Sequence, residues 1–213
     1  MVNKIFIYTC GGGGREIVRL IRDINNFNNK WKVVGFIDDD PDKQGQEIDN
    51  IRVYSSKKLL KTNDLFCICG LMNPALKKKV IEEKIIPNGY KIPSLIHPSI
   101  TIPDDSSIGS GTIIYSGAHI SYNVKIGENV LISFNSLVGH DSSIGDYVSI
   151  MPTTTINGNC KIGSGCVLGA GSVLHQGVSI GNNSVIGIGT KVLTSIEPNK
   201  TVMDMPRKVM LDK

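Results

Sequence analysis

An aliphatic side chain stands at every sixth position of this chain from Ile102 to Val192. Four residues after each such position, up to Ile186, comes a small or β-branched residue, and Ile-Gly recurs every eighteen residues from Ile108 to Ile180. This period matches neither the α-helix, at about 3.6 residues per turn, nor the two-residue alternation of a strand. It matches a coil with three short flat sides, in which each hexad turns one corner. A β-sandwich with irregular turns would lose this register, so the sequence predicts a hexapeptide β-helix.

The residues before the repeat, from 4 to about 90, follow a different pattern. Lys4–Thr9 is typical of a buried strand, Cys10–Gly14 of a tight loop, and Arg15–Ile24 has the aliphatic spacing of a helix. Trp31–Ile37 is a second predicted strand and stops at the acidic run Asp38–Asp40. The remaining predicted elements are strands at Ile51–Tyr54 and Leu65–Gly70 and a lysine-rich helix at Ala75–Glu83. Strand, glycine loop, helix and acid-ended strand form half of a mononucleotide-binding fold.

The glycine loop and the acidic run are the candidate substrate-binding segments of this first unit. Residues without a Cβ let backbone N–H groups approach a phosphate at the start of a helix, where the helix dipole favours negative charge. The candidates are Gly11, Gly12, Gly13, Gly14, Asp38 and Asp39. Thr9 stands where the dinucleotide fingerprint begins with glycine, so a purely structural turn stays open as an alternative. The acidic run is equally consistent with a solvated turn that ends at Pro41.

Composition restricts the remaining classes of function. The chain has 213 residues, 40% of them hydrophobic and 20% charged, and a mean hydropathy of +0.01, which is typical of a globular protein. No apolar run approaches the ~20 residues of a membrane span or the core of a signal peptide. The net charge of +4 includes Lys77, Lys78 and Lys79, which we interpret as a solvated helix face rather than a nucleic-acid site.

The five cysteines lack metal-site spacing. Cys160 and Cys166 take the small inward position of successive hexads, and Cys67 and Cys69 alternate within an apolar run. Core packing in a reducing compartment, the cytoplasm, is the expected role, with no metal.

A candidate for chemistry lies on the coil itself. His140 and Gly158 are eighteen residues apart, which in the predicted coil sets the imidazole one strand spacing, about 4.8 Å, below a glycine N–H. Asp141 follows directly and is placed to orient the ring. A base beside an amide donor is the minimum machinery of acyl transfer. His119 and His175 have no carboxylate neighbour and are expected on the surface.

With these features the chain resembles the bacterial nucleotide-sugar and sialic acid acetyltransferases. The resemblance runs through nearly the whole chain, and its segments are Ile7–Glu16, Val33–Pro41, Leu95–Ser99, Gly139–Asp146 and Gly158–Gly163. It implies a Rossmann-like nucleotide-sugar-binding domain over residues 1–91. It also implies a left-handed β-helix over residues 92–213 and a homotrimer with active sites between subunits. The hexad pattern stops after Val192, and residues 195–213 are expected to cap the exposed strand edges of the last coil.

The resemblance also implies roles for individual residues. His140 corresponds to the general base, Asp141 to the acid that orients it, and Gly158 to the oxyanion donor. Acetyl-CoA is expected along the coils near Gly169, Ala170, Gly187 and Ile188, with Ser149 in place of a second histidine that touches the thioester in many relatives. The chain further departs from the family at Thr9, at Gly13, where a histidine is frequent, and at Asp204–Arg207, where Gly-x-Pro-Ala is usual.

The expected function is therefore acetyl-CoA-dependent acetylation of the amine of a nucleotide-linked amino sugar, a step of surface-glycan biosynthesis. Two alternatives remain open on the residues alone. One is transfer to a hydroxyl of a sialic acid or another sugar, for which the base would do the same work. The other is a catalytically weakened β-helix that acts as a nucleotide-sugar-binding or scaffold protein.

Overall fold

The computed structural model describes residues 2–58 and 64–204 and begins with a five-stranded sheet in the order β3-β4-β2-β1-β5. The central strands are parallel: β1 (Asn3–Tyr8), β2 (Trp31–Ile37), β4 (Ile51–Tyr54) and β5 (Phe66–Cys69). The short edge strand β3 (Glu47–Ile48) runs antiparallel to β4 and is an element that the sequence did not predict. The other predicted strands of this unit are confirmed to within two residues.

Two helices accompany this sheet. Helix α1 (Gly12–Phe27) buries Ile17, Val18, Leu20 and Ile21 against the strands. Helix α2 (Pro74–Val80) continues into a π-helical turn at Ile81–Ile85 and a 3-10 turn at Ile86–Asn88, and a further 3-10 turn spans Ser56–Lys58. The predicted lysine-rich helix is thus present, with an irregular second half.

The predicted loop at Cys10–Gly14 is wrong in its second half, because α1 already begins at Gly12. Glycine is a poor helix former, which is why the pattern favoured a loop. Close packing decides otherwise: a Cβ on Gly13 would lie 2.3 Å from the carbonyl oxygen of Gly70, and one on Gly14 would lie 2.0 Å from that of Thr9. Only residues without a side chain let the helix start this close to the strand ends.

The second part of the chain is the predicted left-handed parallel β-helix, with three flat faces of stacked two-residue strands. Face 1 consists of β7 (Ser107–Ile108), β10 (Lys125–Ile126), β13 (Ser143–Ile144), β16 (Lys161–Ile162) and β19 (Ser179–Ile180). Face 2 consists of β6 (Leu95–Ile96), β8 (Ile113–Ile114), β11 (Leu131–Ile132), β14 (Ser149–Ile150), β17 (Val167–Leu168), β20 (Val185–Ile186) and β22 (Thr201–Val202). Face 3 consists of β9 (His119–Ile120), β12 (Leu137–Val138), β15 (Thr155–Ile156), β18 (Val173–Leu174) and β21 (Lys191–Val192).

Strands of successive coils pair in parallel at a separation of eighteen residues, as the Ile-Gly period predicts; Lys125 pairs with Ser143 and Leu137 with Thr155. The sixth-position aliphatic residues from Ile114 onward form one buried core. The small residues four positions later fill the rest of the interior, and Cys160 and Cys166 are fully buried there. Cys67 and Cys69 are buried in the first unit, so core packing is confirmed for all four.

From Ser110–Gly111 to Ile188–Gly189, each corner is a two-residue turn whose second residue has a positive φ. Glycine, asparagine or aspartate fills this position in most coils, since these residues tolerate left-handed backbone at low cost. Tyr147 (φ 60°) and Thr153 (φ 59°) are the bulky exceptions in the coil region. The first turn residues define three corners. The first corner, between faces 1 and 2, carries Glu128, Asp146, Ser164 and Asn182; the second, between faces 2 and 3, carries Phe134, Pro152, Ala170 and Ile188; the third, between faces 3 and 1, carries Tyr122, His140, Gly158 and Gln176.

The first unit packs on face 2, and Leu95, Ile113 and Leu131 of that face share a core with α1 and the sheet. Lys77 of α2 is buried in this contact, so the prediction of a solvated lysine face is wrong at that residue and holds for its exposed neighbours Lys78 and Lys79. The division at residue 91/92 stays a prediction, since these contacts join the two parts.

Strand β22 pairs in parallel with β20 and ends the sheet of face 2. The C-terminal cap stays a prediction. Residues 205–213, which include most of the departure at Asp204–Arg207, lie outside the described residues.

Candidate active site

The third corner brings together the predicted base, its orienting acid and the predicted amide donor. His140 Nδ1 lies 2.8 Å from Asp141 Oδ2. The imidazole lies directly against Gly158 of the next coil, because a Cβ at Gly158 would stand 2.4 Å from His140 Nε2. Both side chains of the pair are 36% exposed. With Nδ1 engaged by the carboxylate, Nε2 is the ring atom left to exchange a proton with a substrate.

The N–H of Gly158 donates no hydrogen bond to any of the residues that the structure describes. At the first corner the equivalent N–H groups are capped by the next coil: Glu128 N–H donates to Asp146 Oδ1 at 2.8 Å, and Ser164 N–H donates to Asn182 Oδ1 at 2.9 Å. Gln176 stands in the capping position above Gly158 and makes no such contact. A donor without an internal acceptor, beside a base, is the arrangement that an oxyanion requires.

Two side chains of the coil below complete this corner, and the sequence reasoning missed their roles. The Tyr122 ring stacks on His140, with ring centroids 5.2 Å apart and an interplanar angle of 10°. Asn123 Nδ2 donates to Asp141 Oδ1 at 2.7 Å. Hydrogen bonds from His140 and then Asn123 lower the pKa of Asp141, so it stays an anion that can orient the imidazole. Tyr122 and Asn123 precede His140 and Asp141 by eighteen residues, the same spacing that placed Gly158 next to His140, so this spacing could have identified them.

The residues predicted to hold acetyl-CoA meet at a different edge, the second corner. Gly169, Ala170, Gly187 and Ile188 line a mainly apolar groove of about 400 Å³, together with Met72 and Asn73 of the first unit and four further coil residues, Met151, Val167, Val185 and Ile186. Ile188 is 83% exposed there, which is unusual for a large aliphatic side chain. Gly169 is required for the packing of successive coils, because a Cβ at this position would lie 2.6 Å from the backbone of Gly187.

Ser149, the other predicted coenzyme contact, lies elsewhere. It is fully buried on face 2, where its hydroxyl donates to the carbonyl oxygen of Met72 at 2.7 Å and accepts from Lys77 Nζ at 3.2 Å. With its hydrogen already used and no exposed surface, this side chain does not fit a contact with a thioester. Ser149 lies where the first unit packs on face 2, and the periodicity of the coil does not predict this contact.

The glycine segment of the first unit presents open backbone at the start of α1. No side chain caps this helix, and among the described residues no acceptor is bonded to the N–H groups of Gly12, Gly13 or Gly14. Gly12 has open space where a Cβ would stand. These features are compatible with an anion at the helix start, as the sequence predicts.

Asp38 and Asp39 lie beside this segment but already have internal partners. Asp38 Oδ2 accepts from Cys10 N–H at 3.0 Å and from Cys10 Sγ at 3.1 Å. Asp39 accepts from Tyr8, Ser56 and Lys84. Burial opposes ionisation of Asp39, but these hydrogen bonds outweigh it and lower its pKa to about 2. Both acids therefore brace the ends of β1 and β2 whatever else they bind.

His119 and His175 are exposed, as predicted. In the part of the chain that the structure describes, no group of three or more His, Cys, Asp or Glu side chains is placed to hold a metal ion. No helix among residues 2–58 and 64–204 is long and apolar enough to cross a membrane.

Comparison with protein families finds matches for both parts of the chain. Residues 4–84 match the PglD N-terminal domain, and residues 94–140 and 141–176 match the bacterial transferase hexapeptide of six repeats. Residues 160–193 also match the hexapeptide repeat of succinyl-transferase. No curated protein matches the chain.

Several solved structures share the fold over its whole length. The acetyltransferase domain of PglB from Neisseria gonorrhoeae FA1090, in complex with acetyl coenzyme A, is 23% identical at a TM-score of 0.86, and the match covers 99% of this chain and 100% of that one. PerB from Caulobacter crescentus, in complex with CoA and GDP-perosamine, is 21% identical with a TM-score of 0.86, and the match covers 99% of this chain and 98% of that one. WeeI from Acinetobacter baumannii AYE is 25% identical with a TM-score of 0.86, and the match covers 98% of this chain and 100% of that one.

Proposed function

We propose that this chain, which joins a PglD N-terminal domain to bacterial transferase hexapeptide repeats, transfers the acetyl group of acetyl-CoA to the amine of a nucleotide-linked amino sugar. The observation that carries the proposal is His140, held by Asp141 and lying directly against Gly158, whose N–H has no acceptor among the described residues. The complexes of PglB with acetyl coenzyme A and of PerB with CoA and GDP-perosamine support the choice of substrates.

The chemistry follows from the geometry of the third corner. His140 Nε2 accepts a proton from the acceptor amine as its nitrogen forms a bond to the acetyl carbon. The Gly158 N–H donates a hydrogen bond to the carbonyl oxygen as that oxygen becomes negative. The C–S bond then breaks, and the proton passes from His140 to the departing thiolate of CoA. Asp141 stays ionised throughout and stabilises the imidazolium that forms between the two steps.

The proposed coenzyme groove and the proposed base lie on two different edges of the prism. A single acetyl-CoA reaches both if the second corner of one copy meets the third corner of another. Three copies around an axis close such a ring, with the site repeated between each pair of subunits. Face 3 lies between these two corners and exposes Val173 (36%) and, just beyond its last strand, Leu193 (70%), which supports turning this face toward the axis. We therefore propose a homotrimer. We also propose the cytoplasm as its compartment.

The first unit is the proposed holder of the nucleotide. Its open helix start at Gly11 and Gly12 suits a diphosphate, while Gly13 and Gly14 are required for packing. Transfer to a sugar hydroxyl remains a second candidate, because the same base would serve it. The amine is preferred on the strength of the GDP-perosamine complex of PerB.

The proposal is tested by measuring thiol release from acetyl-CoA with a panel of nucleotide-linked amino sugars and their hydroxyl counterparts. We expect release with an amino sugar, and a loss of about 10²–10⁴ in kcat/KM for His140→Ala. Lys161→Ala, an exposed side chain on face 1, which lies outside the proposed subunit contact, is the control and should keep wild-type rates. Equal rates for His140→Ala and wild type would overturn the assignment of the base.

A further inference from the structure

The third corner contains an aromatic contact and an amide contact that the proposed mechanism does not yet use. The Tyr122 ring lies under His140, and Gly158 lies above it, so the imidazole is held on both sides. Tyr122 itself is 55% exposed, so its place is not explained by burial in the core of this chain. We propose that Tyr122 and Asn123 are positioning residues of the acetyl-transfer site, an inference that rests on the proposed function.

The stacking geometry defines what Tyr122 does. The two stacked rings are nearly parallel, with centroids 5.2 Å apart, so the tyrosine ring holds the imidazole in a plane parallel to its own and thereby fixes the rotation of the imidazole about its χ2 angle. The same π face attracts a cation, so it favours the imidazolium that forms when His140 takes the proton. Among the described residues, Tyr122 and Asp141 are the titratable side chains in contact with His140.

Asn123 acts on the same ring through Asp141. Its amide donates to Asp141 Oδ1, while His140 contacts Oδ2, so the carboxylate is held by one partner on each oxygen. Asn123 has φ 52° and Asp141 has φ 58°, and both residue types tolerate this backbone. The turn therefore selects side chains that are also able to form the relay from Asn123 through Asp141 to His140.

Replacing Tyr122 tests the stacking. Tyr122→Leu keeps an apolar side chain but removes the π face, and we expect kcat/KM to fall about tenfold as the ring loses its orientation. Tyr122→Phe retains the face and should keep kcat/KM near wild type. A Phe variant as slow as the Leu variant would show that the hydroxyl acts instead, and would overturn the proposal.

Replacing Asn123 tests the relay. Asn123→Gly preserves the positive φ and removes the amide, and we expect a several-fold loss of kcat with KM little changed. Asn183→Gly is the matched control, since Asn183 is exposed and has φ 58° at the same turn position of the first corner. Equal losses in the two variants would assign the effect to the backbone and refute the relay.

A measurement on the protein without substrates separates this inference from the proposed function. NMR of histidine-labelled protein, with the His140 signal assigned through His140→Asn, reports the tautomer and ring environment directly. We expect Tyr122→Leu and Asn123→Gly to change that signal, while Tyr122→Phe and Asn183→Gly leave its tautomer and ring environment as in wild type. If wild type releases no thiol but these changes occur, the function fails and the positioning stands. An unchanged His140 signal in both test variants overturns the positioning.

Discussion

Lys77 offers the most direct test of how the two parts of the chain are joined. Its side chain is 3% exposed, and Nζ donates to the carbonyl oxygen of Asn129 at 3.0 Å and to Ser149 Oγ at 3.2 Å. No carboxylate contacts it among the described residues. Burial therefore dominates and lowers the pKa of Lys77 from its ordinary 10.5 to about 8.

This lowered pKa has a definite sign in the free energy of unfolding. Between pH 8 and pH 10.5 the unfolded chain keeps the Lys77 proton that the folded chain has released. Stability from this residue therefore rises with pH across that window, and is unaffected by pH below it. At pH 9.5, which lies one and a half units above the folded value, the gain over pH 7 is about 2 kcal/mol.

The assay compares urea unfolding of wild type and Lys77→Met at pH 7 and pH 9.5, at one protein concentration. Other groups that titrate in this range are common to both proteins, so the difference between the two curves isolates Lys77. We expect wild type to gain about 2 kcal/mol relative to the variant between the two pH values. Lys79→Met, an exposed lysine on the same helix, should run parallel to wild type. Parallel curves for Lys77→Met would refute the account of a buried, charged lysine.

Four further substitutions probe glycine and turn positions. Gly158→Ala places a Cβ 2.4 Å from His140 Nε2, so acetyl transfer should fall at least tenfold while circular dichroism stays that of wild type; an active variant would contradict the close stack. Gly12→Ala should stabilise the protein by up to about 1 kcal/mol, since its Cβ meets open space, whereas Gly14→Ala should cost more than about 2 kcal/mol against the carbonyl just after β1; similar values by urea unfolding would refute the packing argument. Thr153→Asn should raise stability by about 1 kcal/mol, because Asn tolerates φ 59° better than a β-branched residue, and a lower melting temperature would contradict this.

The coil was readable from sequence because each hexad repeats the same local problem. Each hexad needs one residue with positive φ, one inward aliphatic side chain and one small inward residue. Each of these residue types therefore recurs at a fixed spacing in the sequence. The eighteen-residue stacking follows from three such corners, and with it the meeting of His140 and Gly158. Tyr122 and Asn123 stand at the same eighteen-residue spacing from His140 and Asp141. Their contacts could not be predicted, because a tyrosine and an asparagine at these positions match no known sequence motif.

The β-helix, its core and the stacking that forms the third corner could therefore be predicted from the order of residues alone. The docking of the first unit on face 2 could not, since that contact joins residues without a shared period. It buried Lys77 and Ser149, which the sequence had assigned to solvent and to acetyl-CoA, and it turned Gly12 to Gly14 into helix. Successive coils contact each other through equivalent positions, so those contacts follow the repeat. The contact between the first unit and the coils depends on the shapes of two unlike surfaces, which residue spacing does not describe.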